Sequence, residues 1–323
     1  MVKTIEKLAD KGERALVLGI GGGGDVVGAL ATARYLQVLG VETIVGGLSW
    51  ERYVSDPDPG PRKISEMENV EILSDTTALV NSETRTDKGV EFTESVISGI
   101  LDKDVLILDL NLGVQGVIDG LNSAVDELNL DFIVGNDVGG DVLARGNEEG
   151  LHSMLADSMV LAALPNLKVP AILGVLGFGA DGELKQDQLF ENFSEIASGG
   201  GYLGARGLVP EDLELLDEAV SKTKTEASAL AVRAARGEIG EIDIRGGYRK
   251  VELSPVSSVT FFFDPEVVVE KISSVAKELE KTKSLDEAHD ILEKKGVPSE
   301  LSFERNYVWK DYTDTDELFE GEK

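Results

Sequence analysis

Residues 17–30 read VLGIGGGGDVVGAL, an apolar run, four consecutive glycines and then an aspartate, Asp25. Glycine loses more backbone freedom on ordering than any other residue. Four together therefore mark a turn whose geometry or close approach excludes side chains. RALVLGI (14–20) has the length of a buried strand, and VVGALATARYLQVLG (26–40) carries small and apolar residues at helical spacing up to Gly40. Strand, glycine turn and helix in that order open a βαβ unit.

The same alternation continues along the chain. VETIVGG (41–47), KDVLILDL (103–110), LDFIVGND (130–137) and VPAILGVLGFG (169–179) read as strands. Between them lie helical stretches at 92–102, 114–129 and 156–167. Strands apolar throughout suit a sheet covered on both faces. The expected fold class is α/β, a Rossmann-like, mostly parallel sheet with helices on both faces.

After Asp181 the texture changes. Helices are expected at 186–198 and 210–237, separated by the glycine-rich SGGGYLGARGLVP (198–210), which reads as a loop or flap. Residues 242–265 read as an antiparallel hairpin turning at Gly246-Gly247. A helical pair follows over 265–296, and the acidic end reads as frayed. With no Pro/Ser/Gly-rich linker, the expected organisation is one Rossmann-like domain with glycine-rich ligand loops over 1–265. A C-terminal helical extension packed on it takes 266–323.

Charge narrows the function. Sixty Asp and Glu oppose 31 Lys and Arg among 323 residues, a net charge of −29. No basic footprint for nucleic acid is visible, and no apolar run has the length of a membrane span. Cysteine is absent, which removes disulfides, thiolate nucleophiles and cysteine-ligated metals. A cytoplasmic protein is expected. Neither a G-x-S-x-G elbow nor a Walker P-loop occurs. An anionic ligand would meet long-range repulsion, so its site must supply local positive potential from amides, arginine or a metal ion.

The glycine turn recurs. LGIGGGGDVVGAL (18–30) aligns without gaps on VGNDVGGDVLARG (134–146), matching Gly23-Gly24-Asp25 with Gly139-Gly140-Asp141. A looser echo, LGVLGFGADGEL (173–184), ends in Asp181-Gly182. Each corner follows an expected strand, hence all three belong at the sheet edge where open α/β sheets bind ligands. Gly21, Gly22, Gly23, Gly24, Gly139 and Gly140 are the expected anion cradle, with Arg145 and Arg62 as guanidinium partners. Carboxylates beside an anion need a cation between them. Asp25, Asp137 and Asp141 are therefore the expected ligands of Mg²⁺ or a similar divalent ion. Asp141, Glu148 and Asp109 are the candidate catalytic acids or bases, with Asp157 a further hydrogen-bonding or base candidate. Each aspartate has a plainer alternative as a helix cap. Of the two histidines, His152 lies near the middle corner, and His289 is expected at the surface of a helix.

The blocks GIGGGGDVVGAL, DPDPGPRKISEMENV, GGDVLARGNEEGLHSMLADS, TEASAL and RGGYRKVELSPVSSVTFFFDP together resemble an archaeal family known as domain of unknown function 1152. The likeness spans roughly residues 13–266. The chain keeps the family's Asp141, Arg145, Gly146, Glu148 and Asp157, and departs at Asn147 and at His152-Ser153-Met154. The resemblance implies the fold and no established activity.

The residues themselves favour an enzyme performing metal-assisted hydrolysis or group transfer on a phosphate- or carboxylate-bearing small molecule, a nucleotide among them. A homo-oligomer is compatible with this reading. The alternatives are a nucleotide-binding or sensing module without turnover, and an NAD(P)-binding protein, because Gly19, Gly21 and Gly24 fit G-x-G-x-x-G. Against the last, the second strand ends in Gly46-Gly47 where a ribose-binding acid is expected.

Overall fold

The structure is a computed structural model that describes residues 4–306, with 54 and 248 excepted; the acidic end expected to fray lies outside the described residues. In chain order the strands are β1 (Arg14–Gly19), β2 (Glu42–Leu48), β3 (Met67–Ile72), β4 (Thr77–Thr86), β5 (Val105–Leu108), β6 (Phe132–Val138), β7 (Ala171–Leu176), β8 (Tyr202–Gly207), β9 (Gly240–Ile244), β10 (Arg249–Leu253) and β11 (Val259–Phe263). The α-helices are α1 (Ile5–Ala9), α2 (Asp25–Val38), α3 (Thr93–Leu101), α4 (Gly113–Leu128), α5 (Met154–Ala163) and α6 (Gln186–Ser198). They continue with α7 (Pro210–Lys222), α8 (Glu226–Ala235), α9 (Pro265–Lys271), α10 (Ser274–Leu279), α11 (Leu285–Lys295) and α12 (Glu300–Asn306).

Among the described residues, nine strands form one sheet in the order β3-β4-β5-β2-β1-β6-β7-β11-β8. The central five, β5-β2-β1-β6-β7, run parallel. Two antiparallel strands extend each edge. The sheet divides the core by side-chain parity, as a period-two strand must. Ala15 and Val17 of β1 face one apolar cluster with α2, α3 and α7, whereas Leu16 and Leu18 face another with α4, α5 and α10. Burial of this kind contributes roughly 1.5–3 kcal/mol per large apolar side chain, and it anchors the five strands that carry the site.

Departures from expectation sit at the margins. β3 and β4 lie in a region where the sequence pattern announced no strand. β8 occupies the glycine-rich segment read as a flap and pairs with β11. The expected hairpin exists as β9-β10, turning at residues 245–247, but β11 leaves it to join the main sheet beside β7. The single helix expected over 210–237 is two, because the Thr225 side chain accepts the Ser228 amide and starts α8 afresh. His289 is buried rather than exposed, its Nδ1 3.1 Å from Ser299 Oγ. Helices α9–α12 pack against α4, α5 and α6, and their apolar side chains share the core cluster of α4 and α5. No helix among the described residues is long and apolar enough to cross a membrane.

Candidate functional site

β1 lies between β2 and β6, and the chain leaves β1 toward β2 yet reaches β6 on the opposite side. At such a reversal the following segments diverge to opposite faces and leave a crevice beyond the strand ends. The loop after β1 is Gly21–Gly24. Gly22 and Gly23 hold φ of 80° and 56°, the left-handed region that favours glycine. The Gly23 amide donates to the Trp50 carbonyl at 2.8 Å. Among the described residues, the amides of Gly22 and Gly24 make no hydrogen bond. A Cβ on Gly21 would stand 2.7 Å from Asp25 Oδ2 and 3.1 Å from Asp157 Oδ2. Carboxylates occupy the space that a side chain would need.

Three elements deliver those carboxylates. Asp25 opens α2, Asp137 lies near the end of β6, and Asp157 comes from the first turns of α5 on the other face. One oxygen of each lies within 4.8 Å of the other two, so the three could hold a metal ion. Asp25 Oδ2 accepts the Gly21 amide at 2.8 Å. Among the described residues, neither oxygen of Asp137 has a hydrogen-bond partner, nor does Asp157 Oδ1. Both residues are only 1% exposed. A buried, unpartnered carboxylate is costly.

A second ring of acids stands behind this triad. Asp141 Oδ2 lies 3.1 Å from Ser153 Oγ, whose own proton goes to Glu183 at 2.7 Å, so a protonated Asp141 is the donor in this contact. Asp181 accepts the Glu183 amide at 2.9 Å, while its Oδ2, over Gly139, has no partner among the described residues. Burial pushes Asp25 and Asp181 up to about 7 against their lowering contacts. It pushes Asp137, Asp141 and Asp157 well above the carboxylate range, and neighbouring carboxylates add to the rise. Glu183 differs. Against its own burial, Arg249 at 3.1 Å, the His152 and Ser153 amides and the Ser153 hydroxyl hold it low. Acids crowded together without donors either keep protons or share a cation.

Besides Arg249, a cation at the site is Arg52, which the sequence pattern did not single out. It adopts φ of 62°, its guanidinium lies 4.5 Å from the Trp50 ring centroid, and Nη2 donates to the Gly21 carbonyl. Nη1 lies 3.2 Å from Glu300 Oε1. Glu300 also accepts the Leu155 and Ala156 amides at 3.0 and 2.9 Å, satisfying the first turn of the helix that carries Asp157. Glu304 takes the Trp50 indole N–H at 2.9 Å and the Gly60 amide at 2.8 Å. α12 thus ties the Trp50–Gly60 loop and α5 to the glycine corner.

The sequence candidates divide. Gly21–Gly24, Asp25, Asp137, Asp141 and Asp181 come together, and Gly139 and Gly140 shape the turn beneath Asp181 with φ of 127° and 117°. Asp157, expected as a hydrogen-bonding group, stands in the triad where Asp141 was expected. Asp109 follows β5, two strands from β1. It accepts the backbone and side-chain N–H of Asn111, both at 2.7 Å, and borders a separate cavity of about 340 Å³ with Lys63, Ser74 and Asp75. Arg62 is held by Asp56 and Asp58. Arg145 pairs with Glu195 and Asn192 on α6. Glu148 accepts the amides of Arg145, Gly146 and Asn147, closing its own loop.

The model of the family described as protein of unknown function (DUF1152) matches residues 16–308. The chain belongs to that family. The match takes in the strands, the glycine corners and the α12 acids alike. No curated protein and no solved structure matches the chain.

Proposed function

We propose that the protein is a divalent-cation-dependent enzyme acting on a phosphate-bearing small molecule by hydrolysis or group transfer. The observation that carries this reading is Asp137, whose two buried oxygens lack any partner among the described residues while Asp25 and Asp157 stand beside it. A hard cation such as Mg²⁺ would give those oxygens their missing partner, as carboxylate oxygens are its preferred ligands. Bound there, it would polarise a phosphoryl oxygen or lower the pKa of a water. The unbonded amides of Gly22 and Gly24 at the start of α2, with Arg52 alongside, would hold the phosphate. Asp141, which burial and the Asp157 and Asp137 charges push toward its protonated form, is suited to give a proton to the leaving group.

The test is thermal unfolding with and without millimolar Mg²⁺ or Mn²⁺, on the native chain and on Asp137→Asn. Cation should raise Tm for the native chain, since a ligand of the folded state alone stabilises it. The variant should start higher, because no carboxyl then has to be held protonated against the solution pH, and gain nothing from cation. A native chain indifferent to both ions overturns the reading. Cation and phosphate binding without product formation would leave the non-catalytic binding module.

A further inference from the structure

A second pair of buried acids stands next to the triad and has no part in it. Glu94, in the first turn of α3, is 1% exposed, and its Oε2 has no hydrogen-bond partner among the described residues. Its Oε1 lies against Gly47 near the end of β2, where a Cβ would collide with it and stand 3.1 Å from Val26 Cβ of α2. Glycine at position 47 is what admits the carboxylate. Glu51, 6% exposed, is close enough to Glu94 to repel it electrostatically. Both Glu51 oxygens are engaged, accepting the Thr93 amide at 2.5 Å and the Thr93 hydroxyl at 2.9 Å. Asp25 also acts on Glu94 through its charge, which sets the pair beside the glycine corner.

This placement has chemical meaning. In parallel nucleotide-binding sheets an acid at the end of the strand next to the glycine turn accepts ribose hydroxyls. Here β2 ends in glycines, and an acid from α3 lies over one of them instead. Burial and the Glu51 charge push the Glu94 carboxyl well up; ionised it only accepts, so its complement is a donor that favours that form, and vicinal hydroxyls offer two. We propose that Glu94, backed by Glu51, is a hydroxyl-binding subsite, and that the ligand of this centre is a phosphate ester carrying a vicinal diol. The inference rests on the cation and phosphate reading above. With phosphate at Gly21–Gly24, an adjoining sugar directed to the β2 side would meet Glu94 beside Gly47.

Calorimetric titration of the full chain with Mg²⁺ tests it. The probes are inorganic pyrophosphate, ADP against 2′-deoxy-ADP, and ribose 5-phosphate against 2-deoxyribose 5-phosphate. At least one ribo form should bind about tenfold or more tighter than its deoxy partner, the effect of a lost hydrogen bond to a charged group. The pair that discriminates tells whether a base is part of the ligand. Glu94→Met, of similar shape and without acceptors, should erase the discrimination and leave pyrophosphate affinity within twofold. Equal binding of ribo and deoxy forms, with pyrophosphate still bound, overturns the subsite and spares the phosphate reading. Binding of pyrophosphate alone does the same. No binding by any probe removes both. The ribo/deoxy comparison needs only the native chain, so it decides the matter even where the variant fails to fold.

Discussion

The corners after β1 and β6 share Gly-Gly-Asp-Val in sequence and differ in what the chain does next. After Gly24 the backbone enters the fourteen-residue α2 at once, and Asp25 turns back to take the Gly21 amide. After Gly140 it makes one 3₁₀ turn, Asp141–Leu143, and reaches α5 only at Met154. Asp141 therefore turns to the Ser153 hydroxyl, and Asp157, a turn inside α5, takes the place beside Asp25 and Asp137. Equal turn chemistry fixes where the chain bends. The distance to the next helix fixes which carboxylate arrives.

If that contrast is right, Asp157→Asn and Asp141→Asn should differ widely. Asp157→Asn should weaken Mg²⁺ binding by about 100-fold or more, as loss of one charged ligand among three. Asp141→Asn should cost less than about tenfold in Mg²⁺ affinity while depressing turnover, which titration and product assays separate. Equal losses of affinity would erase the distinction between the corners.

The proton content of the first and third corners, after β1 and β7, gives the next effect. Asp25 and Asp181 hold protons in the folded chain up to about 7, whereas unfolded carboxylates release them near 4. Between those limits the folded state binds more protons, so stability is greatest at the acid end and falls as pH rises through about 7. Without divalent cations, Tm should drop by several degrees from pH 5.5 to pH 8. Mg²⁺ should restore it at pH 8 and do little at pH 5.5, where protons occupy the same oxygens. A flat profile in scanning calorimetry would contradict this.

The smallest effect compares the glycines. Gly140→Ala, at φ 117° and with a Cβ 2.7 Å from Leu189 Cδ2, should destabilise by about 2–3 kcal/mol. Gly23→Ala, at φ 56° with nothing nearer than Arg52 Cγ at 3.6 Å, should lose only about 1 kcal/mol. Denaturant midpoints read both.

Legibility followed burial. The five parallel strands were readable because both their faces are apolar. β3 and β4 were not, since MENVEI and TALVNSETRT mix exposed acids and polar residues at a sheet margin. β8 hid behind its glycines. In the site, Asp25, Asp137 and the glycine loop declared themselves through strand-turn-helix order. Arg52, Glu94 and Glu300 carry no local pattern; each matters because a distant element packs against it. Arg145 and Glu148 drew attention by sitting in the same block, yet their partners lie on α6 and in their own loop.

The grip of Glu300 and Glu304 has a consequence for biogenesis. Chains grow from the amino end, and the sheet with its glycine corners is complete when β11 ends at Phe263. The carboxylates that fasten Trp50, Arg52 and α5 emerge almost forty residues later. Until then the nascent molecule carries an acid-lined mouth with its walls unfastened, and premature termination before residue 300 would leave it so. The fastening arrives last, with the final described helix.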